Sequence, residues 1–188
     1  MDSNLTIYFD MDGVLAKYDR NGYIATDEQP VAPFLQPGGH YFLNLEPDKK
    51  AIEALRLLNE KLTVKVLTAI PKKGSLFLEH AKDKIKWLNK YCPFINTDEQ
   101  FIATATDKGA IAKSITDYDS LGLSNFSINH ILIDDYNNNL DNWVYKGGTA
   151  LKYSNGINSE DSWNGLVLDK DMSAEDIFDL ITNFLNYL

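Results

Sequence analysis

The sequence predicts a three-layer, Rossmann-like α/β fold: a parallel sheet flanked by helices, with a small insertion after the first strand. Three observations carry this. Short apolar runs, too short to be helices, alternate with longer segments of helical periodicity. Polar, chemistry-bearing residues collect just after the apolar runs. One Pro- and Gly-rich stretch without a clean period interrupts the alternation early in the chain.

The elements follow in order. Residues 4–9 (NLTIYF) read as a buried first strand. Residues 17–45 contain Pro30, Pro33, Pro37, Gly38 and Gly39 and read as an insertion, so that residues 1–16 and 46–188 make up the core. Pro47 suits the first turn of a helix, on which Ala51, Ala54, Leu55, Leu58 and Leu62 form an apolar stripe. Residues 63–67 (TVKVL) are a second strand. A longer helix runs from Ser75 to Pro93 with Phe77, Ala81, Ile85 and Leu88 on its inner face and Trp87 beside them. Residues 99–104 (EQFIAT) give a third strand and 108–116 a short helix with Ala110, Ile111 and Ile115 inward. Residues 130–133 (HILI) give a buried strand and 149–153 (TALKY) an edge strand, followed by a loop over 154–165. Ser173 caps a final helix, with Asp176 three residues on and Ile177, Leu180, Ile181, Phe184 and Leu188 on its inner face.

The composition bounds the function. At 188 residues, 44% of them hydrophobic, the chain suits one main domain with a real core. The formal net charge of −9 argues against extensive nucleic-acid binding and against a membrane surface, since both need a basic face. An anionic substrate must therefore be drawn in by a local device. Cys92 is the single cysteine, so no internal disulfide forms; it reads as a buried free thiol in a reducing, cytoplasmic setting. No apolar run reaches a membrane span, and MDSNLTIYFD lacks the pattern of a secretory signal.

The stretch FDMDGVLA at 9–16 is the most informative. In extended chain, residues two apart point to the same side, so Asp10 and Asp12 converge while Met11 turns away. Carboxylates that close repel unless a cation lies between them, and Gly13 lets the backbone turn sharply. Further polar groups follow the later strands: Thr68, Lys108, and Asp134 with Asp135. In parallel α/β sheets ligands bind beyond the carboxyl ends of the strands, which would gather all of these in one crevice. The set suits phosphoryl chemistry. Carboxylates make the oxygen-rich site that Mg²⁺ prefers, Thr68 offers a hydroxyl to a phosphoryl oxygen, and Lys108, or Lys113 in its place, offers a cation to the transferring group. His80 and His130 read as structural, Trp87 as packing, Trp143 and Trp163 as loop anchors, and the Asn run at 137–139 as turns and caps.

FDMDGVLA, VLTAIP at 66–71, TATDKG at 104–109 and ILIDDY at 131–136 resemble, in order, the four motifs of the haloacid dehalogenase superfamily. Within it the chain is most similar to the 5'(3')-deoxyribonucleotidase group, through FDMDGVLA, Tyr18, FLNLEP at 42–47 followed by AIEALRLLNE, and LIDD at 132–135. The resemblance implies a Mg²⁺-dependent phosphomonoester hydrolase with that superfamily's core and a short cap at 17–45. Asp10 would be nucleophile and metal ligand, and Asp12 general acid/base with its carbonyl on the metal. Asp135 would be the third protein ligand, supported by Asp134, and Thr68 and Lys108 would hold the phosphoryl group. The resemblance implies Tyr18 and Ala69 as substrate contacts and a nucleoside monophosphate as substrate, and His40 and Tyr41 in the insertion are further candidate contacts. The insertion is shorter than that group's cap, Ala69 stands where a Ser is common, and Tyr136-Asn137-Asn138-Asn139 replaces a basic residue after Asp135. A sugar phosphate, a polynucleotide end or a phosphoprotein are the alternative substrates, and a non-catalytic binding module the alternative role.

Overall fold

Parallel strands and crossover helices build the molecule, as the alternation of patterns requires. The computed structural model describes residues 5–19, 23, 26, 31–71, 74–119, 125–158 and 163–188. Parts of the expected insertion (20–22, 24–25 and 27–30), of the expected loop (159–162) and the start of the first expected strand lie outside them.

The strands are β1 (Thr6–Phe9), β2 (Thr63–Ala69), β3 (Phe101–Thr104), β4 (His130–Asp134), β5 (Thr149–Ser154) and β6 (Val167–Asp169). They form one six-stranded sheet in the order β3-β2-β1-β4-β5-β6, every pair parallel. The helices are α1 (Lys49–Asn59), α2 (Gly74–Tyr91), α3 (Thr97–Gln100), α4 (Lys108–Asp119), α5 (Asn137–Tyr145) and α6 (Ala174–Leu185). The three-layer α/β prediction holds.

Strand alternation sorts the core into two layers. Ile7, Phe9, Val64, Val66, Ile131 and Ile133 pack on one face, with buried residues of α1, α2 and α6. Tyr8, Leu67 and Leu132 face the other side, with Ala112 of α4 and Leu140 and Trp143 of α5. The Asp48 side chain caps α1 by accepting from the Lys50 and Ala51 amides, both at 3.1 Å; Pro47 therefore precedes the cap instead of entering the first turn. Ser173 and Asp176 form the expected capping box on α6. Leu188 lies beyond that helix and is exposed. The Cys92 side chain is buried, and burial pushes its thiol up to about 12, which removes it as a nucleophile.

Further expectations need correction. Residues 137–139 do not make turns: they open α5, which buries Leu140 and Trp143. Asn is a poor helix former, but tertiary partners hold this run, Asn137 accepting from Lys152 Nζ at 2.5 Å. The strand expected from residue 99 begins at Phe101, after the short helix α3. β5 is interior, because the three-residue β6 pairs outside it. The inner face of α2 is shifted by one residue: Leu76, His80, Asp83, Lys84, Trp87 and Leu88 are buried, whereas Phe77, Ala81 and Ile85 are half-buried. Polar residues on the core side hid that stripe from a hydrophobicity pattern. On α4, likewise, Ala112 is buried and Ala110 exposed.

The chain leaves the core after Ala16 and returns beside it. Lys17 N donates to Glu46 O and Asp48 N to Leu15 O, both at 2.8 Å. Between these points, two single 3₁₀ turns (Pro33–Leu35 and Phe42–Asn44) lie among the described residues, the second packed on α2. Among the described residues no helix is long and apolar enough to cross a membrane.

Leu55 is fully buried in the α1 layer. Leu55→Ala is expected to cost about 2–5 kcal/mol in urea unfolding, whereas Val144→Ala on the exposed side of α5 should stay within about 0.5 kcal/mol. Equal losses would contradict this layer assignment.

Candidate active site

The strand order places a topological switch between β1 and β4, where successive connections leave the sheet in opposite directions. Phe9 aligns with Ile133 and with Val66, and Asp10 N donates to Ile133 O at 2.9 Å. Asp10 therefore emerges next to Asp134 and Asp135, in the crevice where such sheets hold ligands.

Three carboxylates share this spot. Asp10, Asp134 and Asp135 are all buried, and each offers an oxygen within 4.8 Å of the others. Lys108, the first residue of α4, is buried between two of them, with Nζ 2.7 Å from Asp10 Oδ1 and 2.7 Å from Asp134 Oδ2. Burial alone would lower this ammonium's pKa, but Asp10 and Asp134 together outweigh it and hold the pKa above the usual lysine range. Lys113 points elsewhere on α4, to Asp117 at 3.0 Å. One ammonium does not neutralise three carboxylates. Burial, and then the Asp134 and Asp10 charges, push Asp135 up to about 7; burial, and then the Asp10 charge, push Asp134 up to about 6 against the opposing pull of Lys108. The cluster is short of positive charge, and its oxygen-only donor set suits a hard divalent cation.

Neutral amides fix the carboxylates without adding charge. Asn139 Nδ2 donates to both Asp134 oxygens at 3.2 and 3.0 Å, and Tyr136 N to Asp134 Oδ1 at 2.9 Å. Asp135 Oδ2 accepts from Asn158 Nδ2 at 2.7 Å and Asn155 Nδ2 at 3.2 Å. The same amides donate to Tyr18 O and Gly13 O, both at 2.8 Å, tying Asp135 to the turn after Asp12. Gly13 has φ +85°, and a Cβ there would lie 2.2 Å from Asp135 Oδ2. Only glycine permits this approach.

The other wall holds a residue that the sequence reading missed. Lys84 of α2 is fully buried, donating to the Asp12 carboxylate and to Thr68 Oγ1, the latter at 2.6 Å, with its ammonium 4.3 Å from the centroid of the Phe42 ring. Burial raises the Asp12 pKa and lowers that of Lys84, and their mutual attraction opposes both shifts. Asp12 Oδ1 is buried with no hydrogen-bond partner among the described residues. The helical spacing of Lys84 with Leu76, Trp87 and Leu88, which puts it on their buried side, was the available signal for it.

A crevice of about 300 Å³ opens over these groups. Asp10, Asp12, Ala69, Asp135 and Asn139 line it, together with the rings of Tyr18, Phe34, Phe42 and Tyr136. Tyr41 packs around Tyr18, Phe34 and Phe42. His40 turns away to Asp83. His130 lies in β4, its Nδ1 accepting from Ser127 N at 3.2 Å, and Trp143 Nε1 donates to the His130 carbonyl at 2.8 Å.

Comparison with solved structures gives the fold a class. The chain is similar to a D,D-heptose 1,7-bisphosphate phosphatase from Burkholderia thailandensis, with a TM-score of 0.54 and 12% identity over 95% of this chain and 99% of that one. It is also similar to a haloacid dehalogenase superfamily hydrolase from Ehrlichia chaffeensis, with a TM-score of 0.55 and 16% identity over 96% and 97%. A haloacid dehalogenase-like hydrolase from Burkholderia xenovorans LB400 gives 0.51 and 10% over 97% of both chains. The fold is thus of haloacid dehalogenase type. No family model matches the sequence, and no curated protein matches it.

The raised Asp135 pKa predicts a pH dependence. Between the ordinary value of 3.8 and about 7 the folded state holds a proton that the unfolded state has lost. Stability of the metal-free protein from this group therefore falls as pH rises through that window and levels off above it. His80 and His130, whose pKa values burial lowers, act oppositely, so the difference between wild type and Asp135→Asn isolates the effect. In EDTA the variant should gain on the wild type from pH 4 to 7, measured as Tm; a constant difference would contradict the assignment.

Proposed function

We propose that the chain is a Mg²⁺-dependent phosphomonoester hydrolase that works through an aspartyl-phosphate on Asp10. The observation that carries this reading is the division of the crevice: a cation-seeking carboxylate cluster around Asp10 on one side, and Asp12, Thr68 and Lys84 on the other. Asp10, Asp135 and the Asp12 carbonyl are the proposed metal ligands, with Asp134 in support. Bound there, Mg²⁺ would offset the negative charge of both the carboxylates and an entering phosphoryl group.

The protein groups account for the remaining steps. Lys108 holds the Asp10 carboxylate in place at 2.7 Å, and an oxygen of Asp10 attacks phosphorus in line with the leaving oxygen. Thr68 hydrogen-bonds a phosphoryl oxygen. As the phosphorus–oxygen bond breaks, Asp12 gives a proton to the leaving oxygen. Asp12 then takes a proton from water as that water attacks the phosphorus of the acyl phosphate, which frees Asp10 and inorganic phosphate. Burial raises the Asp12 pKa, which favours the protonated form the first step requires. Lys84 is a positioning residue: it aims Asp12 and, through Thr68, aligns it with the phosphoryl group.

The substrate we favour is a nucleoside monophosphate. The support is the small crevice with four aromatic rings along its wall, which suits a flat leaving group. Residues 17–45 would act as the cap, contributing Tyr18, Phe34 and Phe42 to that wall.

Asp10→Asn should lower kcat on nucleoside monophosphates and on p-nitrophenyl phosphate by at least about 10³-fold with little change in Tm; retained turnover would overturn the assignment. EDTA should abolish wild-type activity, and Mg²⁺ should restore it. Lys84→Met should reduce kcat/KM for an alkyl phosphate at least about tenfold more than for p-nitrophenyl phosphate, whose leaving group needs little protonation. Equal losses on both would leave Lys84 no part in acid catalysis.

A further inference from the structure

A second group of metal-ligating side chains lies outside the crevice. His40, Glu79 and Asp83 each offer one donor atom within 4.8 Å of the others. Glu79 and Asp83 are four residues apart on α2 and share a face, while His40 comes from the segment that packs on that helix. We propose that these three residues bind a divalent cation of the zinc type and fasten residues 38–42 to α2.

Geometry supports the site first. His40 Nδ1 lies 3.1 Å from Asp83 Oδ1 and 3.0 Å from Oδ2, facing the carboxylate as a whole instead of one oxygen. Ligand atoms about 2.0–2.2 Å from a tetrahedral zinc ion sit roughly 3.4 Å from one another, so the His40–Asp83 pair needs to open by a few tenths of an ångström, while the Glu79 oxygen, within 4.8 Å of both, completes the set by a side-chain adjustment. Glu79 Oε1 accepts from Gly38 N at 2.7 Å, which orients that carboxylate from behind as outer partners of metal ligands do. His40 itself has φ +47°, the one non-glycine residue in the left-handed region among those described.

Charge supports it next. The Asp83 side chain is 1% exposed, and its partner His40 is half-exposed at 50%. A divalent ion at this point would give the buried carboxylate a full counter-charge. Donor type then selects the ion. One nitrogen and two carboxylates suit zinc, while Mg²⁺ avoids imidazole and favours the oxygen-only cluster at Asp10. The two sites should therefore differ in the metal they favour.

The consequence for the crevice is direct. Phe42 lies two residues beyond His40 and lines the crevice, with the Lys84 ammonium near its ring. Lys84 follows Asp83 on α2. An ion at His40, Glu79 and Asp83 would fix both the aromatic wall and the helix that carries Lys84. This holds whether or not the crevice hydrolyses phosphate.

The test uses the full chain, stripped with EDTA, returned to excess Mg²⁺ and titrated with Zn²⁺ alone by calorimetry, with metal content measured after gel filtration. The wild type and Asp135→Asn should each retain one equivalent of zinc. His40→Gln and Asp83→Asn, shown to be folded by their Tm in EDTA, should bind it at least about tenfold more weakly. No zinc equivalent in the wild type would overturn the proposal and leave an ion pair only. Zinc binding that survives both variants, or that is lost in Asp135→Asn, would overturn it by placing the ion elsewhere. Since none of these readouts is an activity, failure here is distinguishable from failure of the phosphatase reading.

Discussion

The buried ammonium of Lys108 between Asp10 and Asp134 is the contact on which the site depends. Parallel pairing of β1 with β4 brings these carboxylates side by side, and the same pairing delivers Asp135 one residue later. Without a cation among them the strand ends would repel in a region where water cannot screen them. Lys108 satisfies two of the three. The raised pKa values of Asp134 and Asp135 express what is left over: burial first, and then the neighbouring carboxylates, make their ionisation harder than in water. Such a cluster opposes folding when empty and favours a cation when folded.

A second buried lysine completes the pattern from the opposite face of the sheet. α4 packs in the layer with Tyr8 and Leu132, and α2 in the layer with Ile7 and Phe9. Lys108 and Lys84 thus reach the crest from opposite layers and meet different carboxylates. Lys108 touches the residue proposed to attack phosphorus, and Lys84 the residue proposed to move the proton. Alternation along β1 and β2 makes this division possible, because it sends Asp10 towards one layer and Thr68 towards the other.

Much of this was legible in the sequence because backbone geometry alone decides it. Asp10 after β1 and the pair at 134–135 at the end of β4 need only parallel order to meet, whereas the Asp12 carboxylate, past the end of the strand, does not join that cluster as the i, i+2 spacing predicts and bonds to Lys84 instead. The partners were not legible, because they are set by tertiary contacts. Asn139, Asn155 and Asn158 look like turn residues, yet each holds a carboxylate of the cluster. α5 begins in an Asn run whose intrinsic helix preference is poor, and it is held by Leu140 and Trp143 in the core. Lys84, His80 and Asp83 occupy the buried stripe of α2, so a reading that expects apolar residues inside rotates that helix by one position. The exceptions to the hydrophobic pattern lie where the site and the proposed zinc ligands are.

The proposed mechanism rests on Asp10 as the residue that attacks phosphorus. The most direct test is rapid acid quench of the Mg²⁺-loaded protein with a phosphomonoester radiolabelled on phosphorus, followed by peptide mapping. The account predicts a transient, hydroxylamine-sensitive label on the peptide that contains Asp10. Hydrolysis that proceeds with no protein-bound phosphate, or with the label on another residue, would contradict it.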